Sequence, residues 1–281
     1  MNLTTAQPDK ARPQSHEPWQ LQMFRRSLKK QQKLRALLEV LGPLQDQRCL
    51  LVTCGDNNGA LNWHFRNAGG HWTWVDAESD SIAQIHEITG DPVLSMNKET
   101  PSLPLPDNSY DLALTIDVHE HLRSPDLLNL ELARVVGPGG KVVVTTPNGD
   151  PTKLANRMKR WVGMRKEDYG HVVDGYDTQA LEGQLKRAGL RPVGSSYYSG
   201  LFTELIELTI NLAYVKVMAR RSKAKVQTGQ IAPQNKEQLG SVEKSYRVYT
   251  VLYPIIFAVS RLDHLIPVRR GYAVIVAALK E

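Results

Sequence analysis

The chain has 281 residues, 41% of them hydrophobic and 23% charged, with a formal net charge of +6. That length and balance suit one elaborated folded domain and argue against wholesale disorder. No stretch approaches the roughly 20 apolar residues of a membrane span, and the N-terminus lacks the order of a signal peptide, so a cytoplasmic location is expected.

Residues 1–18 are polar, contain Pro8, Pro13 and Pro18 and show no periodicity, which predicts a flexible tail. From Leu21 to Leu41 apolar residues recur at helical spacing opposite Arg25, Arg26, Lys29, Lys30 and Lys33, and Gly42-Pro43 stops the pattern. This predicts one amphipathic helix able to flank a ligand cleft. Cys49 to Cys54, His71 to Val75, Leu112 to Ile116 and Lys141 to Thr146 are short apolar runs bounded by Gly, Pro or Asp, as in buried parallel strands. Ala60 to Ala68, Ser79 to Thr89 and Asp126 to Val136 fit helices between them. That alternation predicts an α/β fold with a doubly wound, mostly parallel sheet. A helix over Thr178 to Ala188, a strand over Arg191 to Tyr198 and a last strand over Tyr272 to Leu279 complete it.

Residues 201–267 are more than a simple connection needs. Two apolar helices, Phe202 to Met218 and Tyr246 to Leu262, are expected around a polar loop from Arg220 to Val242. The predicted organisation is therefore a tail, a core over 19–200, a helical insertion over 201–267 and the last core strand over 268–281. The apolar faces of the insertion are expected to pack on each other and on the sheet, with a lid or a peripheral membrane contact as the alternatives. Basic clusters at Arg25 to Arg35, Lys153 to Lys166 and Arg220 to Lys225 read first as solvated faces, and nucleic acid is the weakest of their candidate partners. Cys49 and Cys54 share one extended segment too straight to bridge, so both are expected as reduced core thiols.

The chemistry begins at Thr53-Cys54-Gly55-Asp56-Asn57-Asn58-Gly59, where a buried strand runs through a Gly-flanked turn into a helix N-terminus. Such a turn lets the backbone approach a ligand, and Asp76 at the end of the second strand is placed to accept ribose hydroxyls, so nucleoside binding is implied. Further on come Leu103-Pro104-Leu105-Pro106-Asp107-Asn108-Ser109-Tyr110-Asp111, then Glu120-His121-Leu122. After these come Arg134-Val135-Val136-Gly137-Pro138-Gly139-Gly140 and Thr146-Pro147-Asn148. In these four ordered stretches, within about Arg48 to Val193, the sequence resembles the class I S-adenosylmethionine-dependent methyltransferases, in particular the branch of ubiquinone biosynthesis.

The resemblance implies S-adenosylmethionine as cofactor, with Gly55, Asp56, Asn57 and Gly59 at its methionine end and Asp76 on the ribose. It also implies Glu99 near the adenine amine and Asp117 beside the cofactor. Two departures stand out, since the family's first motif carboxylate is Thr53 here and its middle glycine is Asn57. Asn tolerates positive φ, so the turn is expected to survive. Asp117, Glu120 and His121, with His171 further on, are similar to the divalent-ion ligands of ubiquinone O-methyltransferases and small-RNA 3′-end methyltransferases, with Mg, Mn or Zn as the fitting ions. Without an ion, His121 or His119, with Glu120 beside them, is the expected general base. The expected reaction is methyl transfer to an oxygen or nitrogen of a small-molecule, lipid-like or sugar acceptor. A nicotinamide-dependent oxidoreductase and a non-catalytic binding relative are the rival readings.

Overall fold

The computed structural model describes residues 17–55, 57–221, 240, 243–265 and 271–281. Residues 1–16 of the expected tail, Asp56 and nearly all of the expected polar loop lie outside the described residues.

The expected first helix is two helices, α1 (Trp19–Phe24) and α2 (Leu28–Leu41). The break falls at Arg25 to Ser27, where Ser27 takes an extended conformation with φ of −94° and ψ of 97°. The bend turns Trp19, Leu21 and Phe24 into the protein, and the Phe24 ring lies 4.3 Å from that of His64. The apolar spacing runs through the break, which is why periodicity alone reads one element.

Seven strands then form one sheet: β1 (Arg48–Thr53), β2 (His71–Asp76), β3 (Val93–Ser95), β4 (Tyr110–Ile116), β5 (Val136–Pro147), β6 (Leu190–Tyr198) and β7 (Ala273–Lys280). Their spatial order is β3-β2-β1-β4-β5-β7-β6. The pairs from β3 to β5 are parallel, while β7 runs antiparallel between β5 and β6. Helices α3 (Ala60–Ala68), α4 (Ser79–Thr89), α5 (Pro125–Val135), α6 (Leu154–Trp161) and α7 (Thr178–Arg187) make the connections. Alternate side chains of each strand feed the two cores. Leu50 and Val52 of β1 join one face, and Cys49 and Leu51 the other. Cys49 and Cys54 are buried and unbridged, and burial pushes both thiols up to about 12.

The strand order reverses direction at β1 and β4, and open α/β sheets bind ligands at such a switch point, beyond the carboxyl ends of the strands. Two helices of the insertion rise on this side, α8 (Leu201–Arg221) and α9 (Glu243–Ser260). They pack against each other as expected, but the second is seated differently from expectation. Leu208 of α8 is buried, but the Tyr249 hydroxyl of α9 donates to the Arg26 carbonyl, and Gln31 of α2 donates to the Tyr253 hydroxyl at 3.2 Å. The tyrosine face of α9 thus docks on the α1–α2 bend rather than on the sheet, while Leu252, Ile255 and Phe257 stay exposed. No helix among the described residues is long and apolar enough to cross a membrane.

Candidate active site

At the glycine turn after β1, positive φ falls on Gly55 (79°) and Gly59 (82°). The Asn57 side chain braces this turn. Asn57 Nδ2 donates to Thr53 Oγ1 at 3.1 Å and to Asn62 Oδ1 at 3.0 Å, and Asn57 Oδ1 accepts from the Gly59 N–H at 2.9 Å. Gly59 is required for packing, because a Cβ there would lie 2.5 Å from Ile88 Cγ2 and 2.9 Å from the Gln84 carbonyl.

Asp76 is wholly buried and already engaged. Its Oδ1 accepts from the N–H groups of Gly55 (3.0 Å) and Glu78 (2.8 Å), while its Oδ2 accepts from the Thr53 hydroxyl. Burial raises its pKa against the pull of these donors. In this state the carboxylate ties the ends of β1 and β2 together under the turn instead of facing out. Glu99 lies on the surface with its carboxylate 3.8 Å from Arg123, away from the cleft described below.

The end of β4 carries the densest chemistry. Asp117 sits at φ of +51°, and a 3₁₀ turn follows over His119–His121. Glu120 is buried and its Oε2 accepts from the Thr146 hydroxyl at 3.1 Å, leaving Oε1 buried without a hydrogen-bond partner. Burial, then the charge of Asp117, raises its pKa. The Glu120 carbonyl accepts from the Val172 N–H at 2.7 Å, which draws the His171 loop against this turn. His121 Nδ1 meets the Gly170 carbonyl at 3.0 Å, so Nδ1 carries the proton and Nε2 the lone pair. The His121 and His171 rings stand edge to face 4.7 Å apart. Burial and the neighbouring His121 lower His171 to about 3, which keeps its imidazole neutral.

Of the four expected metal ligands the structure brings three together. One ligand atom each from Glu120, His121 and His171 lies within 4.8 Å of the others. Asp117 is drawn aside by Lys33, whose ammonium its Oδ2 accepts. Burial works against the charge of Asp117, but Lys33, and Lys29 behind it, outweigh this and hold the carboxyl low. His119 points elsewhere. It is fully buried, its Nε2 donates to Asn129 Oδ1 at 2.8 Å, and burial lowers it to about 4. A side chain so enclosed cannot reach an acceptor, which removes it as a general base.

These groups open onto a cavity of about 210 Å³ between the strand ends and helices α2, α6 and α8. Two basic clusters expected to be solvated turn inward here. Lys29, Lys30 and Lys33 of α2 and Lys159 and Arg160 of α6 line the cavity, and Lys33 is only 7% exposed. Glu204 of α8 accepts from Lys29 at 2.5 Å, from Lys159 at 3.0 Å and from the Ser199 hydroxyl at 2.7 Å. Sequence reasoning missed Lys33 and Glu204 as site residues. The spacing of Lys29 and Lys33, four apart on one helix face, was the available signal.

Two of the matching stretches prove to be braces. Arg134 donates to the carbonyls of Leu103 (2.9 Å) and Leu105 (2.8 Å) and pairs with Asp107 and Glu131, so it fastens the Pro-rich approach to β4 onto α5.

Comparison with known proteins agrees with this geometry. Residues 22–194 match the family described as methyltransferase domain. A ubiquinone biosynthesis O-methyltransferase of Bordetella avium is 26% identical over 205 residues, covering 67% of this chain and 81% of that protein. Among solved structures, the [4+2]-cyclase SpnF superposes with a TM-score of 0.54 at 17% identity, covering 89% of this chain and 82% of that one. A phosphoethanolamine N-methyltransferase of Haemonchus contortus with bound S-adenosylhomocysteine superposes at 0.52 and 16% identity, over 88% of this chain and 52% of that one. These likenesses carry the fold, and the family match carries the class, which sets the oxidoreductase reading aside. The chain belongs to the methyltransferase domain family and is a class I S-adenosylmethionine-dependent methyltransferase.

Proposed function

We propose that the chain transfers the cofactor's methyl group to a hydroxyl oxygen of a small-molecule, lipid-like or sugar acceptor, and that Glu120, His121 and His171 take charge of that hydroxyl as ligands of a divalent ion. The observation that carries this reading is the convergence of their ligand atoms within 4.8 Å at the end of β4. The donor set fits an ion. Glu120 Oε1 is a buried, orphaned acceptor, His121 holds its Nε2 lone pair by anchoring Nδ1, and His171 is neutral. One carboxylate with two imidazoles suits Mn or Zn best, and Mg less well. Bound there, the ion would lower the pKa of an acceptor hydroxyl.

The residues do the rest. The glycine turn and the α3 N-terminus receive the cofactor's methionine end, and Lys33 supplies a cation beside Gly55 for its carboxylate. The acceptor oxygen attacks the sulfonium methyl in line, the carbon–sulfur bond breaks, and the electron pair stays on sulfur as S-adenosylhomocysteine leaves. The hydroxyl proton passes to the site or to solvent. A hydroxyl needs that proton managed, whereas a neutral amine attacks unaided, so the cluster favours oxygen.

His121 as a plain general base is the second reading, favoured by the same Nε2 lone pair. Release of S-adenosylhomocysteine across a panel of hydroxyl acceptors separates the two. Chelator should stop it, Mn²⁺ or Zn²⁺ should restore it, and E120Q and H171A should each lose the rescue and bind Mn²⁺ more weakly in calorimetry. Full turnover in excess chelator, with no metal in the purified protein, eliminates the ion and leaves His121.

A further inference from the structure

Helix α9 has two faces of opposite kind. Tyr249 and Tyr253 bond back to the α1–α2 bend, and the other side of the helix is apolar and open to solvent. Val248, Val251, Leu252, Ile255, Val259 and Leu262 are all exposed, Val251 by 77% and Ile255 by 64%. Their spacing follows i, i+3, i+4, i+7, i+11 and i+14, so they form one continuous stripe along the helix and into the 3₁₀ turn after it (Arg261–His264). An exposed apolar stripe of this length marks an interaction surface.

Charge identifies what it meets. Residues 215–271 carry eleven Lys and Arg against three Asp and Glu, an excess of eight, while the whole chain is only +6. The rest of the protein is net negative overall despite its basic runs at Arg25 to Arg35 and Lys153 to Lys166, and the apolar stripe lies within this basic segment. Lys244 and Arg261, both exposed, flank it at either end. Two copies meeting through this face would bring the exposed Lys244, Arg247 and Arg261 of each toward one another and repel. An anionic surface with an apolar interior satisfies both the stripe and the charge.

We propose that α9 seats the protein on an anionic lipid bilayer, lying in the interface with its Val/Leu/Ile stripe inserted. The placement has a consequence for the acceptor. The bend to which α9 is fastened runs directly into Ser27, Lys29 and Lys30 of the cavity wall, so a bilayer at α9 lies beside the cavity and a lipid-borne acceptor can enter from it.

The test is co-sedimentation of the full chain with vesicles of phosphatidylcholine alone and with about one-third phosphatidylglycerol. Binding is expected to the anionic vesicles, to fall as salt rises, and to drop about tenfold or more in V251E/I255E. That variant should keep the wild-type S-adenosylmethionine affinity and melting temperature. As a second variant, V251S/I255S removes the apolar groups without adding charge and should also weaken binding. Equal binding to both vesicle types, or unchanged binding in both variants, overturns the proposal. A wild-type dimer in gel filtration that V251S/I255S converts to monomer overturns it too, by showing a second copy on this face.

Discussion

Thr53 donates its hydroxyl to Asp76 at 2.5 Å, and the contact closes the ends of β1 and β2 beneath the glycine turn. The family pattern that this chain resembles has a carboxylate at position 53. With Asp76 turned inward as it is here, such a carboxylate would face another across a dry gap, and like charges that close resist ionising together. Threonine at 53 and the inward Asp76 thus belong together.

T53D should therefore destabilise the fold more than T53V, which loses the hydroxyl that donates to Asp76 and accepts from Asn57, at about 1–3 kcal/mol. Denaturant unfolding checks the order, and a T53D variant as stable as wild type would show that Asp76 points elsewhere. Asp76→Ala separates brace from ribose ligand. If Asp76 also takes the ribose, affinity for S-adenosylmethionine falls by about 1–3 kcal/mol in a variant that still folds, and T53V, by freeing Oδ2, does not weaken binding.

Asp117 combines positive φ with an ion pair to Lys33. Asn tolerates that backbone region and Ala does not, so D117A should be less stable than D117N by about 1 kcal/mol in equilibrium unfolding. K33M removes the cation facing the turn and should weaken cofactor binding about tenfold by calorimetry. Unchanged affinity would show that Lys33 serves Asp117 alone.

Glu204 is buried, yet Lys29 and Lys159 outweigh that burial and hold its carboxyl down to about 2 from an ordinary 4.5. A depressed carboxylate stabilises the fold above its ordinary pKa, and the contribution is lost as pH falls from about 4.5 to about 2. The shift corresponds to about 3 kcal/mol. E204Q should be less stable at neutral pH, and its deficit should shrink across that window. A deficit independent of pH would mean that the carboxylate is not the origin.

His119 and His121 should part company. H119A opens a cavity and leaves Asn129 unpartnered, costing about 2–4 kcal/mol of stability. H121A, at the edge of the cavity, should cost little stability and abolish turnover. Unfolding and rate measurements on both variants read this, and the reverse pattern would exchange the two roles.

Much of the core could be read from the chain because short apolar runs and helix-period runs alternate between Arg48 and Tyr198, and because the Glu120-His121 pair and His171 bracket one loop. What could not be read depended on direction. The lysines of α2 read as a solvated face until the bend at Ser27 aims them at Asp117 and Glu204. Leu252, Ile255 and Phe257 of α9 read as core because apolar spacing cannot say whether a face finds a partner. The three residues of β3 were too short for any periodicity, and nothing local sets the antiparallel run of β7.

That antiparallel run has its own consequence. Tyr198, closing β6, is paired with Ala273, opening β7, so the whole segment between them enters and leaves the sheet at adjacent points, as the loop of a very long hairpin does. Closing such a loop costs entropy that grows only with the logarithm of its length. Evolution can therefore lengthen, shorten or exchange everything from Ser199 to Tyr272 without disturbing a single strand register. The part of the molecule that closes one wall of the cavity is also the part most easily rewritten.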